Sequence, residues 1–124
     1  MREYEFTIIT RADLQDTDRE ALLGKYEALL YGDAGELIKK DDWGSKKLSF
    51  PIKKKFRGHY VFYDFANSEV KNLAEAERLL RIDDQVLRFM LVKTRDKVDV
   101  EARKVELAKA ETQRQAGSKD RDRG

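Results

Sequence analysis

A chain of 124 residues, 40% of them charged and 40% hydrophobic, has the length of one domain with one modest core. Its net charge of only +2 excludes a globally basic nucleic-acid binder, and the absence of cysteine excludes a disulfide framework, thiolate catalysis and a thiolate zinc site. The opening MREYEF lacks the apolar stretch of a signal peptide and no run approaches membrane-spanning length, so a soluble cytoplasmic protein with no membrane partner is expected.

Residues 2–10, REYEFTIIT, set Tyr4, Phe6 and Ile8 on one side and Glu3, Glu5 and Thr7 on the other, the period-two mark of a half-buried strand. TDRE then has the spacing of a capping box, in which Thr17 accepts from a free backbone N–H and Glu20 reaches back. Leu22, Tyr26, Leu29 and Leu30 follow at helical spacing and Gly32 is a stop, which predicts a helix over about 16–31. A second strand is predicted over 35–47. Its middle, KKDDWG, is weak strand sequence, and Gly44 marks a bulge or bend. Pro51 has no N–H to donate and belongs at the end of an edge strand or in the connection.

GHYVFYDF, residues 58–65, is the strongest strand of the chain, apolar or aromatic on both faces. Asn67 or Ser68 is the expected cap of a second helix whose buried stripe is Val70, Leu73, Ala74 and Leu80, with Glu77 and Arg81 as an i,i+4 pair. QVLRFMLVK, residues 85–93, closes as the fourth strand. The order β-α-β-β-α-β is that of a ferredoxin-like α+β domain, a four-stranded antiparallel sheet with two helices on one face. Right-handed crossovers place the first and third strands centrally and the second at an edge. Phe6 and Ile8 then meet the helices, and the opposite face is left open. The domain is expected to occupy 1–96. The charged extension over 97–124, with eight basic and six acidic residues, is expected to be partly helical or disordered, and its AGSKDRDRG end disordered.

Neither a phosphate-binding glycine loop nor a metalloprotease helix is present. The single histidine, His59, reads as a packed or surface strand residue, and the pairs Asp41/Asp42 and Asp83/Asp84 as ordinary turn formers. No enzyme, cofactor, metal or small-molecule substrate is expected. Charge is unevenly spread: Lys39, Lys40, Lys46, Lys47, Lys53, Lys54, Lys55 and Arg57 against Asp41 and Asp42 give residues 39–57 a net +6, leaving −4 elsewhere. Such asymmetry points to one face that meets an anion, against the plainer reading of a solvated lysine-rich loop. The open face presents Tyr60 and Phe62 with Arg88, Met90, Val92, Glu3, Glu5 and Thr7. Paired aromatics on a central strand suit base stacking, and an independent single-stranded RNA-binding module is one alternative. The carboxylates oppose it, and aromatic, Met and Arg together suit a protein interface.

Three stretches carry a likeness to a known family: MREYEFTII, then DWGSKKLSFPIKK followed by GHYVFYDF, then LLRIDDQVLRFMLVK. In family order and spanning about residues 1–95, they make the chain resemble the bacterial small-subunit ribosomal protein S-six family. That resemblance implies a structural, non-catalytic protein of the small ribosomal subunit. It would bind the central domain of small-subunit rRNA together with ribosomal protein S-eighteen. It further implies RNA contacts at Arg2, Lys46, Lys47, Lys53, Lys54, Arg57 and Lys93, on an edge shaped by Leu48, Phe50, Pro51 and Ile52. Strand parity adds a partner-binding set of Tyr60, Phe62, Arg88 and Met90.

Overall fold

The computed structural model of the chain describes residues 1–32, 35–68 and 70–122, and the side chains of all of these except 70, 71 and 113–122. Its elements are β1 (Arg2–Arg11), α1 (Asp16–Leu30), β2 (Gly35–Ile52), β3 (Lys55–Asn67), α2 (Val70–Ile82), β4 (Val86–Arg95) and α3 (Val100–Asp122). The strands form one antiparallel sheet in the order β2-β3-β1-β4. This is the ferredoxin-like α+β arrangement, with β1 and β3 central and β2 at an edge. Among the described residues, no helix is long and apolar enough to cross a membrane.

Because strand side chains alternate, one face of β1 and β3 carries Tyr4, Phe6, Ile8, Val61, Tyr63 and Phe65 into the main core. α1 meets them with Leu22, Leu23, Tyr26 and Leu30, and α2 with Leu73, Ala76 and Leu80. Burying each of the larger side chains stabilises the fold by about 1.5–3 kcal/mol. Two cross-strand aromatic pairs, Tyr4–Phe65 and Phe6–Tyr63, stack at 5.5 and 5.7 Å between ring centroids. Two tyrosine hydroxyls in the core are satisfied: Tyr26 donates to Asp83 Oδ2 at 2.7 Å and Tyr63 to Glu27 Oε2 at 2.6 Å.

α1 starts differently from the sequence reading. The N-cap of α1 is Gln15, with no side-chain cap hydrogen bond, so the Thr17 capping box does not form. The helix opens ahead of Thr17, and Asp16 and Asp18 instead place negative charge at the positive end of the helix dipole. Asn67 ends β3, buried, and its amide donates to the Leu30 carbonyl at the end of α1; the cap of α2, expected at Asn67 or Ser68, involves positions outside the described residues. Along α2 the buried stripe steps from Leu73 to Ala76 and Leu80, while Ala74 is exposed; the side chain of Val70 lies outside the described residues.

β2 runs further than expected, to Ile52, and pairs with β3 all the way to Lys55. Pro51 therefore sits at the end of an edge strand, where a missing N–H breaks no ladder bond. Register shifts between Asp42 and Gly44, and Gly44 adopts φ +76°, a left-handed conformation that glycine enters at little cost. Asp42 secures this bulge by accepting the Gly44 N–H at 2.9 Å and lying 2.6 Å from His59 Nε2. His59 is thereby a packed strand residue.

α3 changes the picture of an open sheet. The Val98 N–H donates to the Met1 carbonyl at 3.0 Å, turning the chain back across β1. Arg103 then reaches Glu3 on the face opposite α1 and α2, and Lys104 pairs with Glu36 of β2 at 2.9 Å. Glu3 becomes fully buried. Half of the open face is thus roofed by a helix that continues through Asp122; residues 123 and 124 lie outside the described residues.

Candidate RNA and partner interfaces

The long β2–β3 pairing projects a hairpin beyond the rest of the sheet, since β1 leaves β3 at Gly58. What roots this hairpin is a second apolar cluster on the open face: Ile9, Leu48 and Leu87, with Ile52 and Tyr60 packed against it. Gly58 makes the close approach possible, because a Cβ there would lie 2.4 Å from Ile9 Cγ2. Leu48 and Ile52 therefore do shape the edge, whereas Phe50 is 64% exposed and Phe56 67% exposed. From Trp43 to Arg57 the hairpin contains no carboxylate.

Its cations stand in different situations. Lys46 Nζ lies 5.5 Å from the centre of the Trp43 ring. The ammonium groups of Lys47 and Lys54 have no hydrogen bond or ion pair among the described residues. Arg57 donates to the hydroxyl and the carbonyl of Ser45 at 3.1 and 3.2 Å. Lys53 Nζ is turned inward, donating to the Val86 carbonyl at 2.9 Å. The tip itself is a two-residue turn in which Lys53 and Lys54 both have positive φ, 49° and 64°. The remaining expected RNA contacts are elsewhere. Arg2 lies at the start of β1 and Lys93 near the end of β4, where Lys93 pairs with Asp96 at 2.6 Å. Nine residues of strand separate Arg2 from Arg11 beside the hairpin root, roughly 30 Å.

The expected partner set also divides in two. Tyr60, Arg88 and Met90 line one shallow groove with Thr7, Ile9 and Phe89, on the half of the open face that α3 leaves bare. Phe62 is covered from the other side: the Trp43 ring stacks on it at 5.9 Å with an interplanar angle of 2°, and also approaches Tyr60 at 6.5 Å. The bulge at Gly44 swings Trp43 over the face and creates this stack. Sequence reasoning placed Trp43 at the edge and noted the bulge without finding the stack; the signal for it was Gly44 beside the chain's only tryptophan.

Charge on the roofed half is buried and mixed. Arg103 Nε lies 3.1 and 3.0 Å from the two Glu3 oxygens, and one terminal nitrogen lies 3.9 Å from Asp64 Oδ2. Burial, followed by the hydrogen bond and charge of Glu3, raises the Asp64 carboxyl well above its ordinary range, with Arg103 opposing the shift.

The ferredoxin-like sheet thus carries a cationic, carboxylate-free hairpin and, beside it, a groove of aromatic, Met and Arg side chains. The family model described as Ribosomal protein S6 matches residues 3–93. The small ribosomal subunit protein bS6 of Desulfatibacillum aliphaticivorans is 41% identical over 110 residues, 89% of this chain and 59% of that protein. The chain thus spans about three fifths of the length of that relative. The bS6 protein of Caldanaerobacter subterraneus subsp. tengcongensis is 38% identical over 96 residues, 77% of this chain and all of that protein. A crystal structure of 30S ribosomal protein S6 from Thermotoga maritima shares the fold, with a TM-score of 0.67, 23% identity and coverage of 92% of this chain and 97% of that one. The chain belongs to the ribosomal protein S6 family, whose members are structural, non-enzymatic components of the small ribosomal subunit.

Proposed function

We propose that the chain is a structural protein of the small ribosomal subunit in the cytoplasm that binds the central domain of small-subunit rRNA jointly with ribosomal protein S-eighteen. The observation that carries the RNA part is the β2–β3 hairpin, where Lys46, Lys47, Lys54 and Arg57 are exposed with Phe50 and Phe56 and no carboxylate lies between Trp43 and Arg57. Cations of this kind neutralise phosphates and release counterions, so affinity falls steeply with salt. Arg2 and Lys93, at the far end of the sheet, serve a separate contact, and Lys53 supports the hairpin through Val86 more than it faces RNA. The protein partner takes the bare half of the open face, where exposed Met90 and Arg88 flank Tyr60.

A titration against a central-domain rRNA fragment, with and without S-eighteen at two salt concentrations, tests this. Tight, salt-sensitive binding is expected only with the partner present. Replacing Lys46 and Lys47 by Glu should weaken it and lower the slope of log affinity against log salt by about 2. Unchanged binding by that variant overturns the assignment of the hairpin. Equal binding without the partner would favour an independent single-stranded RNA module, a reading disfavoured by the stacking of Trp43 on the face Phe62 would offer a base.

A further inference from the structure

Between β2, the central strands and α3 lies a groove whose charges do not balance. Its apolar walls are Trp43 and Phe62 on one side and Leu107 and Ala110 of α3 on the other. Glu5, Lys39, Asp41 and Asp64 supply the polar lining. Lys39 is already committed, lying 3.3 Å from Asp41 and 3.4 Å from Glu111. Arg103 is committed to Glu3 and, at 3.1 Å, to Glu106; Arg95 approaches the same two carboxylates at 3.7 and 3.5 Å. Two acceptors are left over. The Glu5 carboxylate has no ion pair or hydrogen bond among the described residues. Asp64 is 1% exposed, and its Oδ1 has no hydrogen-bond partner. Once Asp64 is ionised, leaving such an acceptor unmatched is costly, so above its raised titration range a donor is missing from this groove.

We propose that this groove receives the guanidinium group of an arginine from a basic partner polypeptide. A planar, weakly hydrated cation can lie against the Trp43 and Phe62 rings while its N–H groups donate to Glu5 and to Asp64 Oδ1. A metal ion fits less well: among the described residues no group of three or more His, Cys, Asp or Glu side chains can hold one, and two walls are apolar. A phosphate is repelled by Glu5, Asp41 and Asp64. The assignment rests on these residues alone and stands whether or not S-eighteen is the protein that binds the neighbouring groove.

The probe is the peptide acetyl-Gly-Arg-Gly-amide, titrated to millimolar concentrations into the full chain and followed by the Trp43 indole Nε1–H resonance, with the citrulline peptide as the neutral isostere. Trp43 is the chain's only tryptophan, so the reporter is unambiguous. The arginine peptide is expected to shift the indole signal saturably and the citrulline peptide to leave it in place. Glu5→Gln, which alters a partly exposed carboxylate and leaves the core intact, should reduce affinity by about tenfold, and Asp64→Asn by as much or more. No shift with the arginine peptide, equal shifts with both peptides, or full affinity retained in both variants would each overturn the proposal. None of these outcomes bears on the rRNA titration.

Discussion

Glu3 is fully buried with Arg103 Nε within 3.1 Å of both its carboxylate oxygens, and the Arg103 side chain is itself only 14% exposed. Removing one partner of such a pair leaves the other desolvated and unmatched, so Arg103→Ala should cost about 3 kcal/mol in urea unfolding. Arg78→Ala is the control: its pair with Glu75 joins side chains 61% and 46% exposed, and its loss should be close to neutral. Asp64 supplies a pH signature. Its raised carboxyl means that the folded state holds a proton the unfolded chain has already released. The contribution to stability is therefore complete below the ordinary carboxylate range and is lost as pH rises toward the raised value. Asp64→Asn should flatten the fall of the urea midpoint from mildly acidic to neutral pH; a fall as steep as in the parent would assign it to another group. At Gly58 the argument is steric. A methyl group set against Ile9, Leu48 and Leu87 overpacks the hairpin root, and Gly58→Ala should cost about 1–3 kcal/mol.

At the scale of elements the β2–β3 hairpin is the informative case. Two-residue turns with both φ values positive suit Asn-Gly, because the left-handed region crowds a Cβ. Lys53 and Lys54 occupy it at φ 49° and 64°, each at a cost that a purely structural turn would avoid. Replacing them by Asn and Gly should raise stability by about 1 kcal/mol in thermal unfolding while weakening rRNA affinity through the loss of Lys54. Gains in both properties would show that the lysines serve no contact. β2 itself illustrates why an edge strand reads poorly. Apart from Leu48 its side chains are exposed or half-buried, so it carries little apolar alternation, and its pairing with β3 holds it in place.

Across the whole molecule, charge is sorted by location. The hairpin is cationic throughout, whereas the roofed half of the sheet gathers Glu3, Glu5, Asp41 and Asp64 beneath α3. Because among the described residues no α3 side chain belongs to either apolar cluster, the described part of α3 is held mainly by Arg103 and Lys104. Ending the chain at Asp96 should leave the ferredoxin-like core folded, with native near-ultraviolet aromatic signals from the Tyr4–Phe65 and Phe6–Tyr63 pairs. The melting temperature should fall as Glu3 and Asp64 lose their cation. Collapse of the truncated chain would mean that α3 is integral to the core.

Much of this architecture was legible in the sequence. Alternation in REYEFTIIT placed Phe6 and Ile8 in the core, GHYVFYDF announced the central strand, and the net +6 of residues 39–57 located the cationic edge. These features are local: a period of two or a run of lysines is visible within ten to twenty residues, and the handedness of crossovers supplies the strand order. Tertiary structure alone decided the rest. The bulge at Gly44 lays Trp43 on Phe62, Gly58 lets Ile9, Leu48 and Leu87 meet, and Arg103 closes over Glu3 one hundred positions earlier. No pattern of periodicity foretells such contacts. They depend on where a bulge falls and on a helix that docks through paired charges, leaving in its sequence no apolar stripe to read.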